Sequence, residues 1–83
     1  MGKEAYSVYP VSQETAKEID NRFTHHAPQG DQPQRYQAIR ELARELAVRI
    51  QVMTPKSREQ SLALTKLEEV VFWANASIAR REH

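Results

Sequence analysis

Two histidines stand side by side at His25 and His26, three arginines at Arg35, Arg40 and Arg58, and aromatic rings at Phe23 and Tyr36. Imidazoles ligate metals or move protons, guanidinium groups hold phosphates and carboxylates, and ring faces stack on planar bases. Adjacent loop histidines rarely aim at one ion, and no third ligand lies near them in sequence, so no metal site is expected. Neither histidine has a serine, cysteine or carboxylate beside it in a nucleophile motif, so the chain is read as a binding protein without catalytic residues. Gly2 and Gly30 are the only glycines, too few for a phosphate-cradling loop, and an anion would have to be held by side chains or by a helix N-terminus. Ser57 and Arg58 stand where a helix should begin, although an ordinary N-cap and a solvated arginine account for the same pair. For stacking, Phe23 and Tyr36 are preferred to Trp73, because they flank an irregular loop that leaves ring faces open.

These residues need elements to position them. The stretch from Thr54 to Arg81 reads as one long helix, over about 57–81. Pro55 cannot continue a preceding helix, Ser57 suits the N-cap, and Gln60 three residues on completes a capping box. Leu64, Leu67, Val71, Ala74 and Ile78 recur at three- and four-residue spacing and form one stripe. Leu62, Val70 and Trp73 lie off that stripe, and one neighbouring helix cannot cover them as well. Of Phe72 and Trp73, one is expected at the margin of the helical seam and the other in a contact between chains.

A second helix is expected over about 33–53, capped by Asp31, with Pro33 tolerated in its first turn. Its expected stripe is Ile39, Leu42, Leu46, Ile50 and Met53, with Tyr36, Arg40, Ala43 and Ala47 on its back. The short connection between the two predicts an antiparallel helical hairpin with arms of roughly 30 Å or more. A short helix over about 12–22 is capped by Ser12 and carries Glu14 in its first turn. Ala16, Ile19 and Phe23 are the residues expected to dock it. Pro28, Gly30 and Pro33 keep regular structure out of the loop that joins it to the hairpin. Residues 1–11 read as an N-terminal arm, and residues 12–83 as a single all-α helical-hairpin domain.

Eighty-three residues bury little surface, and the absence of cysteine removes both disulfides and Cys-based zinc sites. Assembly into a homo-oligomeric helical bundle is the remaining common route to stability. The chain is 40% hydrophobic and 28% charged, which suits a globular protein. No apolar run approaches the roughly 18 residues of a membrane span, and the first residues lack the apolar core of a secretory signal, so a cytoplasmic location is expected. Twelve Lys and Arg against eleven Asp and Glu give a net charge of +1, which argues against gripping long nucleic acid through its phosphates.

The segment F-T-H-H-A-P-Q-G-D-Q-P-Q-R-Y-Q-A-I-R, with S-R-E-Q-S-L-A-L-T-K-L-E and W-A-N-A-S-I-A-R further on, resembles the helical-hairpin domain of phage anti-CBASS and anti-Thoeris sponge proteins. The resemblance runs from about Phe23 to Arg80. It implies a small helical protein that assembles into a homo-oligomer, a hexamer favoured over a dimer or tetramer. Such a protein binds cyclic nucleotide messengers of bacterial anti-phage defence between its subunits, without cleaving them and without a cofactor. A phage-encoded chain would work in the host cytoplasm. Within the matching segments, Phe23 and Tyr36 can fill the stacking role and Arg35, Arg40 and Arg58 the phosphate role. Thr24, His26, Ser61, Thr65 and Asn75 can supply neutral hydrogen bonds. The cyclic-ADP-ribose sponges carry extra sequence before the hairpin, which favours cyclic di- or trinucleotides as ligand. Cyclic ADP-ribose isomers, or a protein-protein adaptor with no small-molecule ligand, are the alternatives.

Overall fold

A computed structural model describes residues 8–82 and shows three helices, α1 (Gln13–Phe23), α2 (Gln32–Met53) and α3 (Arg58–Arg81), with no strand among the described residues. Residues 8–12 precede α1 without regular structure. Residues 1–7 of the expected arm lie outside the described residues.

Helices α1 and α3 start where a short polar side chain replaces a missing backbone partner. Ser12 Oγ accepts from the Thr15 amide at 3.1 Å, and Ser57 Oγ accepts from the Gln60 amide at 3.1 Å. The Gln60 side chain turns away from the capping-box partner expected of it. Its Nε2 donates to the carbonyl and hydroxyl of Thr54, both at 3.0 Å, and to the Gln51 carbonyl at 3.4 Å. Gln60 is 6% exposed, so this amide fastens the α2–α3 connection from inside. Asp31 occupies the N-cap position of α2 but makes no side-chain cap. Its carboxylate accepts instead from Arg35 Nε at 3.2 Å. Gly30 has φ 55°, a left-handed conformation that turns the chain into α2 and that glycine adopts without a Cβ clash.

α2 and α3 pack as an antiparallel hairpin. On α3 the expected stripe is turned inward: Leu64, Leu67, Val71 and Ala74 are half-buried and Ile78 is buried. On α2 the seam is rotated from the expected one. Tyr36, Ile39, Ala43, Ala47 and Ile50 are half-buried, whereas Leu42, Leu46 and Met53 are 68%, 49% and 75% exposed. Ile39 and Ile50 border both rows, and the alanines on one side let α3 approach more closely than the leucines would. Trp73 and Phe72 are 66% and 60% exposed, so neither enters the margin of the seam.

α1 is held the opposite way round from the expectation. Ala16, Ile19 and Phe23 are exposed, the last at 84%, and α1 contains no buried residue. Its polar face does the holding. Arg81 donates to both oxygens of Glu18 at 2.9 and 2.8 Å, and Asn21 Nδ2 donates to the Arg80 carbonyl at 3.0 Å. The start of α2 grips the same end of α3, because Arg35 forks onto Glu82 at 2.8 and 2.6 Å and Gln32 donates to Glu82 at 3.2 Å. Two chain segments, α1 and the start of α2, therefore converge on the end of α3. No described helix is long and apolar enough to cross a membrane.

Candidate functional site

The convergence leaves a groove of about 450 Å³ between the loop after α1, the first turns of α2 and the last turns of α3. Thr24, His26, Tyr36, Arg40, Asn75 and Arg80 supply its polar lining, together with His25 and Arg22, and none of the lining side chains is acidic. Arg22 pairs with Glu18, which accepts from its Nε at 2.6 Å and is shared with Arg81. Arg40 and Arg80 make no ion pair among the described residues, so the groove presents two uncompensated guanidinium groups.

Local structure fixes the remaining groups. Thr24 ends α1 and donates its hydroxyl to the Asp20 carbonyl at 2.6 Å. His26 Nε2 lies 2.9 Å from the Asn21 carbonyl; a carbonyl only accepts, so that nitrogen carries the proton. The contact ties the loop to α1 and holds the half-buried imidazole at the groove. Asn75 Oδ1 is buried without a hydrogen-bond partner. Such an orphan acceptor costs about 1–3 kcal/mol.

A second groove, of about 440 Å³, lies on the other side of Arg22 and Arg80 and is lined by Phe23, Trp73 and Ser77. A third and larger one, of about 740 Å³, runs along the hairpin between α2 and α3 over an apolar floor that includes Ala43, Leu64 and Val71. Arg40 stands on the wall shared by the first and third grooves.

Of the ten residues singled out from the sequence, Thr24, His26, Tyr36, Arg40 and Asn75 share the first groove. Phe23 belongs to the second and is the last residue of α1, not a loop residue. Thr65 lines the third. Arg58 and Ser61 begin α3, at the other end of the hairpin, so within one chain Arg58 lies about 20 Å from Arg40. Arg35 is engaged by Glu82 and Asp31, and its pKa is raised, chiefly by the hydrogen bonds to Glu82. Its charge is spent inside the chain. Arg80 was not singled out, although Trp73, Ala76 and Arg80 recur at three- and four-residue spacing on α3 and carry the signal. Among the described residues no three His, Asp or Glu side chains are grouped to hold a metal ion.

Comparison with known proteins places the chain in one family. A family model described as Acb2/Tad1, hairpin domain, matches residues 15–79, most of α1 and all but the last turn of α3. No curated protein and no solved structure matches the chain.

Proposed function

We propose a function from the premise that the chain belongs to the Acb2/Tad1 hairpin-domain family, the anti-CBASS and anti-Thoeris sponges. It captures a cyclic nucleotide messenger of bacterial anti-phage defence reversibly, releases it unchanged, and so withholds it from the effector it would activate. Cyclic di- and trinucleotides are the favoured ligands, and cyclic ADP-ribose isomers the alternative.

The groove beside the last turns of α3 is the observation that carries this reading. Arg40 and Arg80 face a common space free of carboxylates, with the Tyr36 ring, the Thr24 hydroxyl and the Asn75 amide around it. Guanidinium groups on a phosphate form charge-assisted bonds roughly twice as strong as neutral ones, and a ring stacked on a base adds about 1–3 kcal/mol. A volume near 450 Å³ lies within the range of small-molecule sites, but the groove is open to solvent. A second subunit closing over it supplies the remaining walls in this reading, in which the chain forms a homo-oligomer, a hexamer favoured, with ligand held at subunit boundaries. Arg58 and Ser61 contribute only if they arrive from that second subunit. The proposed place of work is the host cytoplasm.

Calorimetric titration with cyclic dinucleotides, cyclic trinucleotides and cyclic ADP-ribose isomers tests the proposal. The bound ligand is then recovered after heat denaturation and identified by chromatography. Intact ligand supports a sponge. A linearised product would make the protein an enzyme, and no binding across the panel would leave the adaptor reading, with the exposed Trp73 face as the docking surface.

A further inference from the structure

Arg22 differs from Arg40 and Arg80 in already having a partner, and the geometry of that pairing leaves most of its guanidinium unused. Such a group carries five N–H donors. Arg22 gives the one on Nε to Glu18 at 2.6 Å and forms no other bond among the described residues. Both terminal amino groups, whose fork matches two oxygens of one phosphate, stay uncommitted. Glu18 does not depend on Arg22, because Arg81 holds its two oxygens at 2.9 and 2.8 Å. One carboxylate between two guanidinium groups leaves the trio positively charged. The elements then place the fork. Arg22 stands in the last turn of α1, which is fixed to the end of α3 by the Glu18–Arg81 pair and by Asn21 on the Arg80 carbonyl. It lines the first groove together with Arg40 of α2 and Arg80 of α3, whereas Glu18 is absent from that lining and holds Arg22 from outside the groove.

We infer that Arg22 is a further phosphate-binding residue of this groove, positioned by Glu18, and that its terminal amino groups take two oxygens of one phosphate or pyrophosphate group while Nε stays on Glu18. The inference deepens the proposed function and rests on its reading of the groove as an anion site. No existing bond has to break for Arg22 to engage the anion, and Glu18 keeps both partners. A phosphate held by Arg22, Arg40 and Arg80 touches all three helices. Since α1 contains no buried residue, the anion adds a tie between α1 and the hairpin where apolar packing supplies little. Lysine could not do the same, because a single ammonium group is a point charge without a planar fork to share between Glu18 and a phosphate.

Inorganic pyrophosphate is the probe, titrated into the isotope-labelled full chain and followed by nuclear magnetic resonance. The Arg22 Nε–H signal, assigned by its absence from Arg22→Ala, should shift along the titration. The Arg49 signal should stay in place, because Arg49 pairs with Glu45 and lines neither groove that contains Arg22. By calorimetry, Arg22→Ala should weaken pyrophosphate binding roughly tenfold, the low end for charge-assisted bonds because the side chain is 55% exposed. Arg49→Ala should leave it unchanged, and Arg22→Lys should recover less than half of the loss. A stationary Arg22 signal, or full affinity in Arg22→Ala, overturns the assignment and leaves the sponge reading standing on Arg40 and Arg80. Full affinity in Arg22→Lys overturns the fork. Pyrophosphate that moves the Arg22 signal, with no cyclic nucleotide of the panel bound, supports the anion site and counts against the sponge alone. A chain that binds neither pyrophosphate nor any cyclic nucleotide overturns both.

Discussion

Arg40 is the side chain on which most of the functional proposal turns. It stands on the wall between two grooves without a carboxylate partner, so replacing it removes charge from the ligand without orphaning a group of its own chain. Arg40→Ala is expected to cost about 1.5–3 kcal/mol of binding, roughly ten- to hundredfold in affinity, with the melting temperature of the free protein unchanged. Calorimetry with the best ligand of the panel checks it. Arg35 should behave in the opposite way. Its fork onto Glu82 makes Arg35→Ala a stability variant, with a lowered melting temperature and unchanged affinity per folded molecule. Arg58→Ala separates two arrangements: unchanged affinity confines the site to the groove of one chain, whereas a loss like that of Arg40→Ala brings Arg58 in from a neighbouring subunit. The same contrast marks what sequence can show of a site. Arginine types and spacing were legible, and Arg40 emerged from them. That Arg35 is neutralised by a residue 47 positions away follows no local rule.

At the scale of elements, the helices were legible because their ends are chemical. Ser12 and Ser57 cap, Pro28 and Pro55 interrupt, and Gly30 turns. Gly30→Ala should cost about 1–2 kcal/mol from the left-handed backbone alone, since nothing lies within 4 Å of the added carbon. Which face of α2 meets α3 was less legible, because Ile39 and Ile50 border both the alanine row and the leucine row. The polar docking of α1 was not legible at all, since a fork between Glu18 and Arg81 has no periodic signature. That docking makes stability depend on acid. Hydrogen bonds from Arg81 and Arg22 lower Glu18 to about 2, and hydrogen bonds from Arg35 and Gln32 lower Glu82 to about 2. A carboxylate lowered on folding contributes fully above its unfolded value near 4.5, and the contribution disappears as pH falls toward 2. Melting temperatures should therefore fall between pH 4.5 and 2, less so at high salt, because these pairs are exposed to solvent. The drop should be smaller in Glu18→Gln, and thermal unfolding of both proteins across that range measures it.

The molecule as a whole is more open than a compact domain of its length. Its radius of gyration is 18.7 Å, against about 12 Å for a compact domain of this length. Ile78 is the only buried apolar residue among the described ones. Trp73 tests whether assembly supplies the missing core. Trp73→Ala should leave a dilute single chain nearly as stable as before, because the ring is 66% exposed there. At concentrations where chains associate, the same change should cost a few kcal/mol, about 3 if the ring becomes fully buried. Melting curves at low and high protein concentration separate the two. The thinnest dimension, 18 Å, is little more than one helix of about 10–12 Å. Most side chains of the described helices are exposed, so in deuterated water the amide hydrogens of an isolated chain are kept mainly by the bonds of their own helix. Deuterium uptake at rising protein concentration would then slow only where a neighbour settles, tracing the contact surface along the sequence.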